Sequence, residues 1–417
     1  MTKHRVAMRL PIQGMVAPGF ESVREEFERN FTERGELGGA CAMYHKGQKV
    51  ADLWGGYRDG RTRKPWSEDT LVIVFSSTKG IAGMTMAVAQ GQDLFDYDAP
   101  VAQHWPEFAQ AGKEAITVRQ LLNHEAGLCI LDEPLNSTIL ADPDKLAEIL
   151  AKQKPAWEPG SRHGYHAFTL GWYESELLRR TDPQRRTVGQ FFQDELAWPL
   201  GLEFYIGLPP GIHEERIATV TEPGIVQKLS GMPRGMMLDI LRPGSLTLRT
   251  ANPRVRSNLV FNQPPYRNVE MPSVNGIGPA RSIAQLYSIF ATGGQELDIP
   301  EATLAALKAP PVPSKVGSWR DVILHTDVAY SLGFLKPCPG YRFGSSDAAF
   351  GAPGSGGSFG FADPDAQVGY AYVTNKQGAA IFDDPREKAV RDAFYSCLQQ
   401  IEKDLDIRDE ILPESPA

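Results

Sequence analysis

Among the serines of this chain, only Ser76 stands three residues before a lysine, in Ser76-Ser77-Thr78-Lys79. A serine hydroxyl attacks a carbonyl at neutral pH when a base stands beside it, and a lysine amine is such a base once desolvation keeps part of it neutral. A spacing of three puts both side chains on one helical face. The apolar run Leu71-Val72-Ile73-Val74-Phe75 precedes the four residues and an apolar helical pattern, Gly80 to Gln92, follows, so Ser76 is expected at a helix N-terminus. Unsatisfied backbone N–H groups there favour developing negative charge, which suits acyl transfer. The same residues also read as an ordinary N-cap followed by a solvated first-turn lysine.

A second serine sits in another hydrolase pattern. Gly356-Gly357-Ser358-Phe359-Gly360 matches GxSxG, the nucleophile elbow that requires a strand, a sharp turn and then a helix. Here Phe359 to Ala362 leads into another strand signal, so Ser358 is expected on a glycine-rich strand edge. The eight histidines lack an HExxH pattern, and Cys41, Cys129, Cys338 and Cys397 lie far apart without CxxC spacing. Neither a metal nor another cofactor is expected, and the cysteines read as buried free thiols.

The elements that must position Ser76 are legible in part. Phe20, Val23, Phe27 and Phe31 repeat at helical spacing, and Gly38 to Gly56 reads as a hairpin turning at Lys46-Gly47-Gln48. From Ser76 to about Glu270 helical patterns such as Val118 to Asn123 and Lys145 to Lys152 are divided by Pro/Gly loops. Gly207 to Pro279, with Met232, Met236 and Met237, is expected as long loops carrying adaptable apolar side chains. Strand character returns in Ala329 to Leu335, Gly357 to Ala362 and Gln367 to Thr374. A last helix, with Pro385 in its first turn, runs through Val390, Phe394, Cys397 and Ile401 and frays after Ile407. Strands at both ends around a helical middle imply an α+β fold. Residues 1–75 and 271–417 then form a discontinuous sheet domain, and 76–270 an inserted, mostly helical one.

Length and charge bound the partners. A chain of 417 residues can bury one large core or two. Its net charge of −8, with no dense Lys/Arg block, gives no attraction to nucleic acid or anionic lipid. The apolar stretch Gly80 to Gln92 falls short of the ~20 residues a bilayer span needs. Residues 1–20 show no signal-peptide pattern, so a cytoplasmic protein is expected.

Four segments then share one resemblance: FSSTKGI around Ser76, TVRQLLNHEAGL at Thr117 to Leu128, WEPGSRHGYH at Trp157 to His166, and NGIGPARSIAQLYSIFATGG at Asn275 to Gly294. In that order and at those separations they resemble the serine β-lactamase and penicillin-binding superfamily. The nearest branch is the class C-like esterases, often called family VIII carboxylesterases. The resemblance spans roughly residues 20 to 400 and implies an antiparallel sheet flanked by helices, a helical domain, and an active-site cleft between them. It assigns Ser76 as nucleophile, Lys79 as its base partner and Tyr165 as the tyrosine of the second motif.

Two departures bear on substrate. The second motif usually runs Tyr-x-Asn, but here it is Tyr165-His166-Ala167, so the amide that orients a substrate carbonyl is missing and His166 is expected to line the cleft instead. His124 is expected to bond structurally. The third motif, Lys-Thr-Gly or His-x-Gly in many relatives, corresponds to Ala352-Pro353-Gly354 before Ser355-Gly356-Gly357. The backbone N–H groups of Ser76 and Ser355 still suit an oxyanion hole, because that task needs no side chain. Ala352, Gly354 and Gly356 are expected beside substrate, without the cation that binds a β-lactam carboxylate. An ester with a hydrophobic portion is therefore the expected small-molecule substrate. A β-lactamase or D-amino-acid peptidase, an acyltransferase and an idle scaffold of the same fold are the alternatives.

Overall fold

The alternating residues of Gly38 to Gly56 form a hairpin of β2 (Gly38–His45) and β3 (Gln48–Asp59), preceded by β1 (Gln13–Val16) and followed by β4 (Lys64–Pro65). The computed structural model describes residues 11–251, 257–316 and 318–411, with backbone alone for 405–411. Residues 1–10 of the segment read for a signal peptide lie outside that range. Lys46 and Gly47 make the hairpin turn with φ of +52° and +75°, the left-handed pair that a two-residue turn needs. Next come β5 (Val72–Ile73), β6 (Tyr205–Ile206) and β7 (Gly276–Gly278), a small antiparallel sheet in the order β5-β7-β6. Five late strands complete the large sheet: β8 (Ala329–Ser331), β9 (Phe334–Lys336), β10 (Phe350–Pro353), β11 (Phe359–Asp363) and β12 (Val368–Thr374). Its order is β1-β3-β2-β12-β11-β10-β9-β8, with β4 on β3. All its pairs are antiparallel, and the two ends of the chain meet where Cys41 of β2 faces Tyr372 of β12.

Side chains alternate across a strand, so each face of the sheet has its own composition. Cys41, Met43, Phe361, Tyr370 and Tyr372 pack with Val23 and Phe27 of helix α1 (Glu21–Thr32) and with Val390 and Phe394 of the helix Pro385–Ile411. Ala40, Ala42, Ala362 and Ala371 turn the other way and join the core of the helical middle. Small residues on that face let the helix Ala280–Ala291 lie close. A Cβ at Gly369 would stand 2.3 Å from the Ala284 carbonyl oxygen, and one at Gly360 would stand 2.7 Å from the Tyr287 ring.

Helix α2 (Thr78–Gly91) is buried from Thr78 to Ala89 and runs between β9 and β10 on one side and the helix Thr169–Thr181 on the other. The helical segment expected from residue 76 thus begins with an element that the sheet and the helices share. Other expectations differ from the structure in detail. Ala329 to Leu335 is a hairpin, not one strand, because Leu332 (φ +50°) and Gly333 (φ +91°) turn the chain inside an apolar run. Gly207 to Pro279 holds short helices at Ile225–Ser230, Arg234–Ile240, Leu246–Arg249 and Pro264–Asn268 in place of long loops. Each is too brief for a 3.6-residue period to show. The last helix continues to Ile411. The four cysteines are free and buried.

Candidate active site

From Leu71 to Ala89 every residue is buried except Ser76. Ser76 sits in a 3₁₀ turn, Phe75–Ser77, that runs straight into α2. Phe75 holds φ at +48°, a left-handed value that costs a non-glycine residue ~1–3 kcal/mol. Burial of its ring, edge-on to Phe261, maintains it. Beyond the turn, Thr78 Oγ1 donates to Phe75 O at 2.5 Å and accepts from Gly276 N at 2.8 Å, which ties the serine turn to β7.

One helical turn on, Lys79 is buried and its Nζ donates to Ala167 O at 2.8 Å and to Ser273 O at 3.0 Å. The same nitrogen lies 4.7 Å from the centroid of the Tyr165 ring, and Ser76 and Tyr165 share one pocket wall, the Ser76 side chain near enough to act on the Tyr165 phenol. The structure therefore brings Ser76, Lys79 and Tyr165 together. Burial pushes the Lys79 amine down to about 7, against the opposing pull of the Glu174 carboxylate. Burial likewise pushes Glu174 up to about 8, opposed by Lys79. Both shifts favour the uncharged forms. A neutral amine has two N–H groups and a lone pair, so the two carbonyls take the hydrogens and leave the lone pair as an acceptor. Burial also raises the Tyr165 phenol above its ordinary value, with the neighbouring Ser76 side chain acting against it, so this tyrosine is a neutral hydroxyl at neutral pH.

Gly354 fits where no other residue does: a Cβ there would stand 2.2 Å from Val74 O and 3.2 Å from Ser77 N. That close approach sets the end of β10 against the serine turn. Ser355 follows, exposed, and its backbone N–H has no acceptor among the described residues. The turn is fastened from behind. Gly354 N donates to Ser358 O at 2.6 Å, Gln377 Nε2 to Ser355 O at 3.3 Å, and the buried Arg386 to Gly356 O at 2.8 Å. Arg386 also pairs with Glu36 at 3.0 Å and with Asp384 at 2.8 Å. Its removal leaves two buried carboxylates unpaired, so Arg386→Met is expected to lower stability by ~3–5 kcal/mol. The check is a denaturant midpoint at unchanged slope, and a loss below ~1 kcal/mol would detach the turn from this network.

Ser76, Tyr165, Gly354, Ser355 and Gly356 share the wall of a pocket of about 360 Å³. Met232, Met236, Leu324, Ile381 and Phe382 make an apolar side; Glu222, Lys228, Asn258 and Gln377 make a polar one. Tyr330 also lines it, its hydroxyl donating to the buried Asp321 at 2.8 Å and its ring stacked on Tyr165 at 6.4 Å between centroids. Among the described residues, no group of three or more His, Cys, Asp or Glu side chains is placed to hold a metal ion.

Two expected substrate contacts are corrected. His166 is fully buried and off the pocket wall. Leu128 N donates to its Nε2 at 3.1 Å, so the hydrogen sits on Nδ1 and bonds Gly164 O at 2.8 Å, while His166 N donates to His124 Nδ1 at 3.0 Å. Burial pushes His166 down to about 3 and His124 well below its usual range, so the two neutral rings brace the loop that carries Tyr165. Ala352 is buried too, its methyl 3.2 Å from where a Cβ on Gly80 would stand, and the strand presents Pro353 to the pocket instead. In β10 successive residues point to opposite sides of the strand, so Ala352 faces inward where Pro353 faces the pocket. Ser358 is buried and leads into β11, a strand and not a helix.

Sequence reasoning passed over Glu174, Tyr330, Lys228, Gln377 and Arg386. For Glu174 a signal existed: it interrupts the apolar face of Leu170, Leu177 and Leu178 on the helix Thr169–Thr181. Its two carboxylate oxygens are buried without a hydrogen-bond partner among the described residues.

An antiparallel sheet covered by helices, with a serine turn and a buried lysine at the seam with a helical body, is a β-lactamase-like fold. The beta-lactamase family model matches residues 24–394, and the chain belongs to that family. It is 31% identical over 374 residues to a Mycobacterium tuberculosis protein named esterase/beta-lactamase LipL, a match covering 87% of this chain and 82% of that one. The crystal structure of a family VIII carboxylesterase superimposes with a TM-score of 0.83 at 35% identity, covering 93% of this chain and all of that one. A penicillin-binding protein homolog from Caulobacter crescentus superimposes with a TM-score of 0.80 at 36% identity, with the same coverage.

Proposed function

We propose that this chain is a serine hydrolase that cleaves carboxylic esters with an apolar portion through an acyl-Ser76 intermediate. The observation that carries the reading is Ser76 itself, the one unburied residue of its run, sharing the pocket wall with Tyr165 and standing one helical turn before an amine that burial lowers to about 7. The likeness to the esterase-named relative and to the carboxylesterase structure supports the substrate class.

Ser76 Oγ bonds to the ester carbonyl carbon as its proton passes through the Tyr165 hydroxyl to the Lys79 lone pair. The carbonyl oxygen gains negative charge against the Ser76 and Ser355 N–H groups. Collapse breaks the carbon–oxygen bond to the alcohol, which leaves with the proton held by Lys79. Water then attacks the acyl-enzyme with the same base, releasing the acid and restoring Ser76.

The test is a comparison of substrates on the unmodified protein. No cation stands at position 352, and the pocket's Lys228 is neutralised by Glu222 at 2.9 Å. A charge-assisted bond to a substrate carboxylate contributes ~1.5–3 kcal/mol, so its loss costs roughly ten- to hundredfold in rate. Hence kcat/KM for p-nitrophenyl butyrate is expected to exceed that for a chromogenic cephalosporin by at least ~10-fold. Equal values, or a preference for the cephalosporin, would replace the esterase reading with a β-lactamase.

A further inference from the structure

Seven of the eleven exposed large apolar side chains among the described residues fall between Ile225 and Leu259. Ile225, Val226, Leu238 and Leu241 are 78%, 81%, 66% and 73% exposed, on or just beyond the short helices Ile225–Ser230 and Arg234–Ile240. Single exposed apolar residues are ordinary, but a concentration in one place marks an interaction surface.

This segment has two sides. On the inner one Lys228, Met232 and Met236 line the catalytic pocket. Gly231 and Gly235 press so near the body that a Cβ would stand 2.0 Å from Ala379 O and 2.8 Å from the His325 ring. Charge is sorted the same way. Lys228 is held by Glu222 and Arg249 by Asp132. Asp239, the one carboxylate between residues 225 and 251, is held by His325 Nε2 at 2.9 Å and Thr247 Oγ1 at 3.2 Å. Arg234 and Arg242 have no ion-pair partner among the described residues, and both are exposed. The two short helices whose inner residues line the pocket therefore carry exposed Ile, Val and Leu and two cations without an ion-pair partner among the described residues, on a chain whose net charge is −8.

We propose that this face docks on an anionic lipid–water interface and seats the pocket mouth against the lipid that supplies its ester. The proposal rests on the ester-hydrolase reading for what enters the pocket; the docking itself does not. Apolar side chains enter the boundary between headgroups and acyl chains while arginines meet anionic headgroups. The association is peripheral, since no helix among the described residues is long and apolar enough to cross a membrane. A second copy suits this face less well, because a two-fold contact would set its free arginines near their own counterparts, with Asp239 already engaged. The whole-chain charge, from which no affinity for anionic lipid is expected, averages this local excess away.

The experiment is co-sedimentation of the full chain with dioleoyl phosphatidylglycerol vesicles and with dioleoyl phosphatidylcholine vesicles, beside turnover of soluble p-nitrophenyl butyrate. Binding is expected to the anionic vesicles and to weaken as salt rises. The variant Ile225→Ser/Val226→Ser/Leu238→Ser/Leu241→Ser is expected to bind at least ~10-fold more weakly, and Arg234→Gln/Arg242→Gln about fivefold more weakly. Both should turn over the soluble ester within about twofold of the parent, which also shows that they fold. No binding to the anionic vesicles, or equal binding by the serine variant, would overturn the proposal. So would a lipid-free dimer of the parent that the serine variant turns into a monomer, which would give the face to self-association. Failure of the esterase reading would appear separately, as no turnover of soluble ester by the parent.

Discussion

Ser76→Ala is expected to lose ester hydrolysis by ~10⁴-fold or more, because removing the nucleophile of a unit that acts together costs nearly the whole covalent route. Ser358→Ala is expected to keep most of its activity. The contrast follows from placement: Ser76 opens on the pocket whose wall it shares with Tyr165, whereas Ser358 is buried just before a strand. Steady-state turnover of p-nitrophenyl butyrate checks both variants. An active Ser76→Ala enzyme would take the nucleophile role away from Ser76.

Lys79→Arg is expected to cost the next largest factor, ~10²–10⁴, the range of a general base. Arginine keeps the charge but does not release its proton, so it cannot accept one from serine. The same base sets the pH dependence. Lysine is active when neutral and burial holds Lys79 at about 7, so kcat/KM of the parent should be low in mild acid and rise with pH through about 7 to a plateau in mild alkali. That limb should be missing from any residual activity of the arginine variant. Turnover within tenfold of the parent in Lys79→Arg, or a parent profile that falls as pH rises through this range, would take the base role away from Lys79.

The serine and its lysine were legible because their motif sits between two apolar runs, a context that also places Ser76 in the turn that opens α2 and Lys79 in its first turn. The hairpin at Gly38 to Gly56 and the last helix were legible by period. β10 was not: Phe350-Gly351-Ala352-Pro353 has no alternation, because Gly351 is pressed against Phe361 and the strand is buried on both faces. β1 is four residues long, mostly exposed, and sits in a stretch that reads as a tail. His166 and Ala352 were misplaced for a shared reason. Adjacency in sequence to a pocket residue says nothing about which way a side chain points, and both turn inward. Glu174 and Arg386 take their meaning from partners far away in the chain, Lys79 in one case and Glu36 in the other, which no local pattern reveals.

The most direct measurement is intact mass spectrometry of the unmodified protein after treatment with a serine-reactive p-nitrophenyl phosphonate, followed by peptide mapping. One adduct per chain is expected, on the peptide carrying Ser76, with ester turnover lost in proportion to labelling. An adduct on Ser358, or complete loss of turnover with Ser76 unlabelled, would contradict Ser76 as the acylated residue.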